Sequence, residues 1–355
     1  MATILALDLG KFKSVSCFYD TDTQELRFVT VESTPATIGL LLDKAKAEGV
    51  ACVIFEACVL TGWVSQLCDA RSLKRHIAAT NGEAWRWKNV KRKTDRDDAL
   101  KLARLYALGE LPESRLPSLA DRQHRALLQH RQSLVGRRVA VQNGLRALFL
   151  AQGVAMPTGA SAWTEAGFAA LAAQARPLSE CGLEELWRGQ LQLMLEELRL
   201  LWALLKTTEK RLDAIAAADQ RMRILQTMPG VGPRTAEVVA NYLGEAKRFK
   251  KSGEVSAYAG MVPRQFQSGE TDRRGRITRR GPALLRKMLV ECAWVSLRYN
   301  AWARGVFERI SKGQKTRRRQ AIVALARKIL VRCWAMLRDN QPWHEAAPPP
   351  EKTAA

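Results

Sequence analysis

Leu191, Leu198, Leu205 and Leu212 recur every seven residues, and Met194, Leu201 and Ile215 each follow one of them by three. Leu127, Leu134, Val141 and Leu148 repeat with the same period upstream. A seven-residue apolar repeat keeps one narrow stripe of a long helix facing a partner, so each segment predicts a helix of many turns. The intervening Gly159–Pro177 is loose and rich in Ala, Gly and Ser. Two long helices joined by such a stretch fold back on one another, which predicts an antiparallel coiled-coil arm. An ordinary helical bundle would satisfy the same spacing.

The arm divides two regions of different character. Before it, TILALDL (residues 3–9), SVSCFY (14–19) and LRFVTV (26–31) read as strands at intervals that suit an antiparallel meander. A helix over 36–48, a buried strand over 51–55, a helix over 61–71 and a strand ending at His76–Thr80 follow. A meander followed by alternating helix and strand predicts an α/β layer. After the arm, ILQTMPGVGPRTAEVVANYL (224–243) reads as a helix-hairpin-helix. There Gly230 and Gly232 allow close backbone approach, and amides at the second helix start can hold a phosphate; a plain helix connection is the alternative. The expected domains are 1–115, 116–220 and 221–343, with a disordered tail over 344–355.

Charge is concentrated in the last of these domains. The chain carries a net +22, and residues 221–343 hold 27 Lys and Arg against 8 Asp and Glu, a net of +19. An imbalance of that size points to a polyanionic partner, because a basic surface gains by releasing the counterions of phosphates. The seven cysteines (Cys17, Cys52, Cys58, Cys68, Cys181, Cys292, Cys333) include no CxxC pair, and none of the four histidines is spaced to join one as a zinc ligand. Reduced, mostly buried thiols in a cytoplasmic protein are expected. The start MATILALDLG is not that of a signal peptide, and no apolar run is long enough to span a membrane.

Against this basic background KTDRDDAL (93–100) places three aspartates in four residues. Asp95 and Asp98 share a helix face; Asp97 does not. Acids near a helix start also have a plainer explanation, since they favour the macrodipole and Thr94 or Asp95 can cap. Two further carboxylates change the balance: Asp8 ends the first strand and Glu56 ends the later buried strand. Strand ends on one sheet edge lie together, and a helix beside that edge brings Asp95 and Asp98 to the same place. Four converging carboxylates repel unless a cation sits among them. Oxygen-only ligands suit Mg²⁺ or Mn²⁺, and such an ion beside a basic surface polarises a phosphodiester.

The ordered set Asp8, Glu56, Asp95 and Asp98 resembles the DEDD acids of RuvC-type Holliday-junction resolvases, which have an RNase H-like fold. Downstream, AYAGMVPRQFQSGETDRRGRITRRGPALLRKML (257–289) resembles the transposase domain of the DEDD insertion-sequence recombinases, the IS110 family. The resemblance implies a RuvC-like N-terminal domain, a mainly α-helical C-terminal transposase domain, and a bridge-RNA-guided DNA recombinase. It also implies that the DEDD acids bind Mg²⁺ and that Ser268 attacks a DNA phosphate. Partners so implied are donor and target DNA, a noncoding guide RNA, and other copies of the chain in a dimer or tetramer. Arg273, Arg274, Arg276 and Arg279 are candidates for neutralising phosphate charge. The basic flank Lys91, Arg92 and Lys93 is a candidate nucleic-acid contact. Trp85 and Trp87, interleaved with Arg86 and Lys88, are candidates for stacking on RNA. Two positions depart from the family pattern: Gln267 where Ser-Ser-Gly is frequent, and Arg279 where a lysine is common. A metal-dependent junction nuclease that uses water, with no need of Ser268, fits the acidic set equally well. A non-catalytic scaffold fits it poorly, because it would keep four costly carboxylates without use.

Overall fold

In the computed structural model, which describes residues 2–79, 94–268 and 271–344, β1 (Thr3–Asp8), β2 (Lys13–Asp20) and β3 (Leu26–Glu32) form the antiparallel meander. α1 (Pro35–Ala47) leads to β4 (Cys52–Glu56), and α2 (Thr61–Ala70) leads to β5 (Arg75–Ala78). β4 pairs parallel with β1, and β5 parallel with β4. Among the described residues the sheet order is β3-β2-β1-β4-β5. β5 is the strand expected to end at His76–Thr80; Thr80 lies outside the described residues.

The near-continuous apolar runs of β1 and β4 are explained by burial on both faces. Side chains alternate across the sheet. Leu5, Leu7, Val53 and Phe55 pack with Ile38 and Leu42 of α1 and Val64 of α2. On the other face Ile4, Ala6, Cys52 and Ile54 pack with Ala99, Leu102 and Ala103 of α3 (Asp95–Ala107). Leu102 and Phe55 are fully buried, and each such side chain contributes about 2–3 kcal/mol.

The chain packs as two units, Met1–Leu119 and Ala120–Ala355. In the second, α4 (Leu119–Ala151) and α6 (Leu186–Ala218) are the two long helices. They run antiparallel: Arg131 meets Glu209, while at Gly144 a Cβ would stand 2.8 Å from Met194 Cε. Leu191, Leu198, Leu201, Leu205 and Leu212 are all buried, with Leu195 beside them. On α4 Leu134 and Val141 are buried, but Leu128, Leu145 and Phe149 lie deeper than Leu127 and Leu148. A helix of 3.6 residues per turn drifts about 20° per heptad, which moves the seam off the strict repeat. The loose stretch between them contains α5 (Glu165–Ala172), a helix its composition did not announce. Thr164 caps it, and Phe168 and Leu171 bury against the long helices.

The basic half is mainly helical. α7 (Gln220–Gln226), α8 (Pro233–Leu243) and α9 (Ser252–Tyr258) precede a hairpin of β6 (Pro263–Ser268) and β7 (Thr271–Ile277). α10 (Ala283–Tyr299), α11 (Ala301–Ser311) and α12 (Arg318–Asp339) follow. Their core takes in Leu128 of α4 and Leu212 of α6, so the long helices are rooted in this half. A polar knot reinforces the root. His124 Nε2 lies 2.7 Å from Glu237 Oε1, fully buried on α8, and Arg125 Nε donates to Asn241 Oδ1 at 2.8 Å. Arg234 pairs with both Glu237 and Asp213.

Candidate active site

The parallel register of β1 and β4 pairs Ala6 with Ile54 and Leu7 with Phe55. One step further, Asp8 and Glu56 close the two neighbouring strands at the same edge. Asp8 has the parity of Ile4 and Ala6, and Glu56 that of Cys52 and Ile54, so both belong to the face that α3 covers. Both are half-buried. Each strand end is locked locally. After Asp8 the chain turns at Gly10, where a Cβ would lie 2.3 Å from the Lys13 carbonyl oxygen. After Glu56 the buried Thr61 hydroxyl donates to the Glu56 carbonyl at 3.2 Å and accepts from the Cys58 N–H at 2.7 Å.

α3 packs on this face. Thr94 is its N-cap and forms a capping box with Asp97. The Asp97 carboxylate accepts from the Thr94 N–H at 3.0 Å and the Thr94 hydroxyl at 2.6 Å. Asp97 is thus used by the helix start itself. Asp95, exposed, stands one turn before Ala99, and Asp98, half-buried, one turn before Leu102. The plain explanation of KTDRDDAL therefore holds for one aspartate of the three. The pattern Thr-x-x-Asp is visible in the sequence as a capping box.

Asp8 and Glu56 thus share one edge of the sheet, and Asp95 and Asp98 stand in the first turn of the helix that packs on that face. Asp8, Glu56 and Asp98 each engage a polar or charged neighbour. Among the described residues no three His, Cys, Asp or Glu side chains are gathered closely enough to hold a metal ion. Trp85, Trp87, Lys91, Arg92 and Lys93 lie outside the described residues.

In the basic half, Ser268 ends β6 and pairs with Thr271 of β7, at the tip of the hairpin. These two strands carry no apolar alternation that would predict them. Arg273 and Arg276 are exposed along β7, and Arg274 pairs in register with Gln265. Arg279, at the hairpin base, has a left-handed backbone (φ 56°) and donates its N–H to the Gly260 carbonyl at 3.0 Å. Gly260 is itself left-handed (φ 65°), and a Cβ there would lie 2.1 Å from the Arg280 carbonyl oxygen. Arg286 donates to the Gly281 carbonyl at 2.8 Å. Its loss of solvent, and then Arg279 nearby, hold its pKa below the ordinary arginine value.

The two glycines of the expected helix-hairpin-helix differ. Gly230 (φ 95°) packs against α10, where a Cβ would lie 2.3 Å from Ser296 Oγ. Its close approach is to protein. Gly232 is the N-cap of α8, is exposed, and has nothing within 4 Å of a Cβ.

Residues 222–308 match the family described as "Transposase IS116/IS110/IS902 family", and residues 5–152 match the DEDD transposase family of IS110. The chain belongs to the IS110 family of transposases. The first match spans α7 through most of α11, including the hairpin, and the second spans the sheet, α3 and α4. The chain is 28% identical over 306 residues to the transposase for insertion sequence element IS1111A of Coxiella burnetii, covering 81% of this chain and 78% of that one. It is 30% identical over 223 residues to the transposase for element IS1328 of Yersinia enterocolitica, covering 62% and 64%. It is also 32% identical over 126 residues to the pilin gene-inverting protein of Moraxella lacunata, covering 35% and 38%. An IS110-family transposase is an enzyme that cuts and rejoins DNA, and the chain is an insertion-sequence transposase. Among the described residues no helix is long and apolar enough to cross a membrane. The seven cysteines are free thiols, and five of them are buried.

Proposed function

We propose that this IS110-family transposase is a guide-RNA-directed, site-specific DNA recombinase that works through a covalent serine–phosphate link. The observation that carries the metal half of the reading is the placement of the acids. Asp8 and Glu56 close adjacent parallel strands on the face covered by α3, whose first turn supplies Asp95 and Asp98. A sheet of order 3-2-1-4-5 with an antiparallel first half and a parallel second half supports an RNase H-like, RuvC-like domain. The donor chemistry is oxygen only and fits Mg²⁺, or Mn²⁺, once the carboxylates turn to a common point. When bound there, the ion would neutralise and polarise the phosphodiester.

The chain's own residues then do the following. Ser268, presented at a hairpin tip, attacks the phosphorus of the scissile DNA linkage. The Oγ–P bond forms, the bond to the 3′ oxygen breaks, and the serine proton passes by way of water or a carboxylate to the departing 3′ oxygen, which leaves as a hydroxyl. Arg273, Arg274, Arg276 and Arg279 surround the phosphate with positive charge; Arg279 keeps the charge of the family's usual lysine without its ability to transfer a proton. Rejoining reverses the step with the exchanged 3′-hydroxyl. Gly232, open at the start of α8, offers backbone for a phosphate contact. Trp85, Trp87, Lys91, Arg92 and Lys93 serve the RNA. Self-association uses the long helices as a coiled-coil arm, whose outer side carries exposed Leu186, Leu193 and Leu200 seven residues apart. The site of action is the cytoplasm, on chromosomal DNA.

The test is covalent trapping with Mg²⁺, the element's noncoding RNA and end-labelled element DNA. A denaturant-resistant protein–DNA adduct that disappears in Ser268→Ala and in Asp95→Ala is expected. Cleavage without an adduct, unchanged in Ser268→Ala, would replace this reading by the water-using junction nuclease.

A further inference from the structure

α11 and α12 bring together Arg309, Arg327, Lys328 and Arg332. Arg309, Lys328 and Arg332 are exposed and Arg327 is half-buried. Partial burial, and then Arg309, Arg327 and Arg332 in turn, hold the Lys328 ammonium below the ordinary lysine value. Among the described residues none of the four takes part in an ion pair. Elsewhere in the chain arginines find carboxylates: Arg71 bonds Asp43, Arg131 bonds Glu209, and Arg338 on the same α12 bonds Asp339. The start of α12 departs from ordinary helix electrostatics in the same direction. Arg317, Arg318 and Arg319 stand at its positive end, with no acid in the first turn. A helix end of that polarity ordinarily gains from anions and loses with cations.

Like charges so arranged repel one another and are relieved by a ligand that brings a row of negative charges. The platform is rigid, because Val306, Leu325, Ala326 and Ile329 bury between the helices. The Trp302 ring has the Arg332 guanidinium at 5.6 Å and the Trp343 ring at 5.4 Å. A surface of clustered positive charge holds backbone phosphates and carries no base-reading pattern of its own. Arg309, Arg327, Lys328 and Arg332 all lie beyond residue 308, where the matched family stretch ends.

We propose that this α11–α12 face is a sequence-independent clamp on the sugar–phosphate backbone of duplex DNA. The clamp rests on the DNA-handling part of the function above and is independent of Ser268 and of the acids.

The experiment is binding of the full-length chain to labelled duplex DNA across a salt series, without Mg²⁺, with duplex RNA and single-stranded DNA titrated in parallel. Arg327→Gln/Lys328→Gln/Arg332→Gln should weaken duplex DNA binding at least tenfold, for unrelated sequences alike. It should lower the slope of log affinity against log salt by about 2–3, close to one unit per lost phosphate contact. Lys46→Gln on α1, also exposed, should leave both unchanged. Arg332 packs on Trp302, so the double variant Arg327→Gln/Lys328→Gln decides the matter if the triple one does not fold; a fall in slope of about 1–2 is then expected. Wild-type affinity and slope for duplex DNA in the folded variant would overturn the clamp, as would a loss confined to RNA. Ser268→Ala should bind duplex DNA as the wild type does. Loss of the covalent adduct reading with duplex binding intact would leave the clamp standing, and the converse would remove the clamp alone.

Discussion

Thr94 and Asp97 cap one another across the first turn of α3, the Asp97 N–H donating to Thr94 Oγ1 at 3.3 Å while its carboxylate accepts from Thr94 in return. This reciprocal pair separates one aspartate of KTDRDDAL from its two neighbours. Asp97→Ala should cost about 1 kcal/mol of stability, the usual worth of a helix cap, and retain measurable DNA cleavage. Asp95→Ala and Asp98→Ala should leave thermal unfolding nearly unchanged and abolish cleavage. Thermal melts beside a strand-cleavage assay distinguish the two classes, and a cleavage-dead Asp97→Ala with active Asp95→Ala would reverse the assignment.

Gly230 and Gly232 should respond oppositely to the same substitution. A methyl at position 230 would meet both Ser296 Oγ and Ser296 Cα, 2.3 and 2.6 Å away, on a backbone of φ 95°. Gly230→Ala should lose about 2–4 kcal/mol from strain and from displacing α10. Gly232→Ala meets nothing and should fold normally. Its readout is DNA affinity, which should fall if the α8 start touches a phosphate. Denaturant titrations of both variants decide the first point directly.

The outer leucines of α6 test self-association. Leu193 and Leu200 are 51% and 57% exposed, too much apolar surface on one stripe for a helix that faces only water. Leu193→Glu/Leu200→Glu should turn an oligomer into a monomer in sedimentation velocity while preserving helical content. A wild-type chain that sediments as a monomer at all concentrations would end this idea.

Asp219 gives a pH signature. Burial alone would raise its pKa, but the Arg221 guanidinium and backbone N–H more than offset this and hold the carboxyl below its ordinary value. Arg221 Nε donates to Asp219 Oδ2 at 3.0 Å, and the Arg221 N–H donates to Oδ1 at 2.9 Å. A carboxyl with a depressed folded pKa stabilises fully above its unfolded value, about 3.9, and the contribution disappears as pH falls through the folded value. The stability gap between wild type and Asp219→Asn should therefore be widest at neutral pH and close in acid, which urea melts at several pH values would show.

Much of the scaffold was legible in the chain because it is set by short-range patterns. Short apolar runs marked β1, β2 and β4 to within a residue or two, and the leucine heptad marked α6 over its whole inner face. The acids were recognisable as strand-end and helix-start residues for the same reason. Less legible were α5, which its composition concealed until Phe168 and Leu171 found a surface to bury against, and the β6–β7 hairpin. PRQFQS and TDRRGRI are too polar to show a strand period, and it is cross-strand pairing that makes them strands.

The sequence by itself determined that there would be a mixed sheet, a pair of long helices and a basic helical half, since backbone period, caps and charge are properties of neighbouring residues. Only the tertiary structure decided which residues share a place. The register of β1 on β4 set Asp8 beside Glu56, and the packing of α10 claimed Gly230. α11 and α12 gathered Arg309 and Lys328 from positions far apart in the chain. Those outcomes depend on contacts between distant segments, and a one-residue change of register would have turned each side chain to the opposite face.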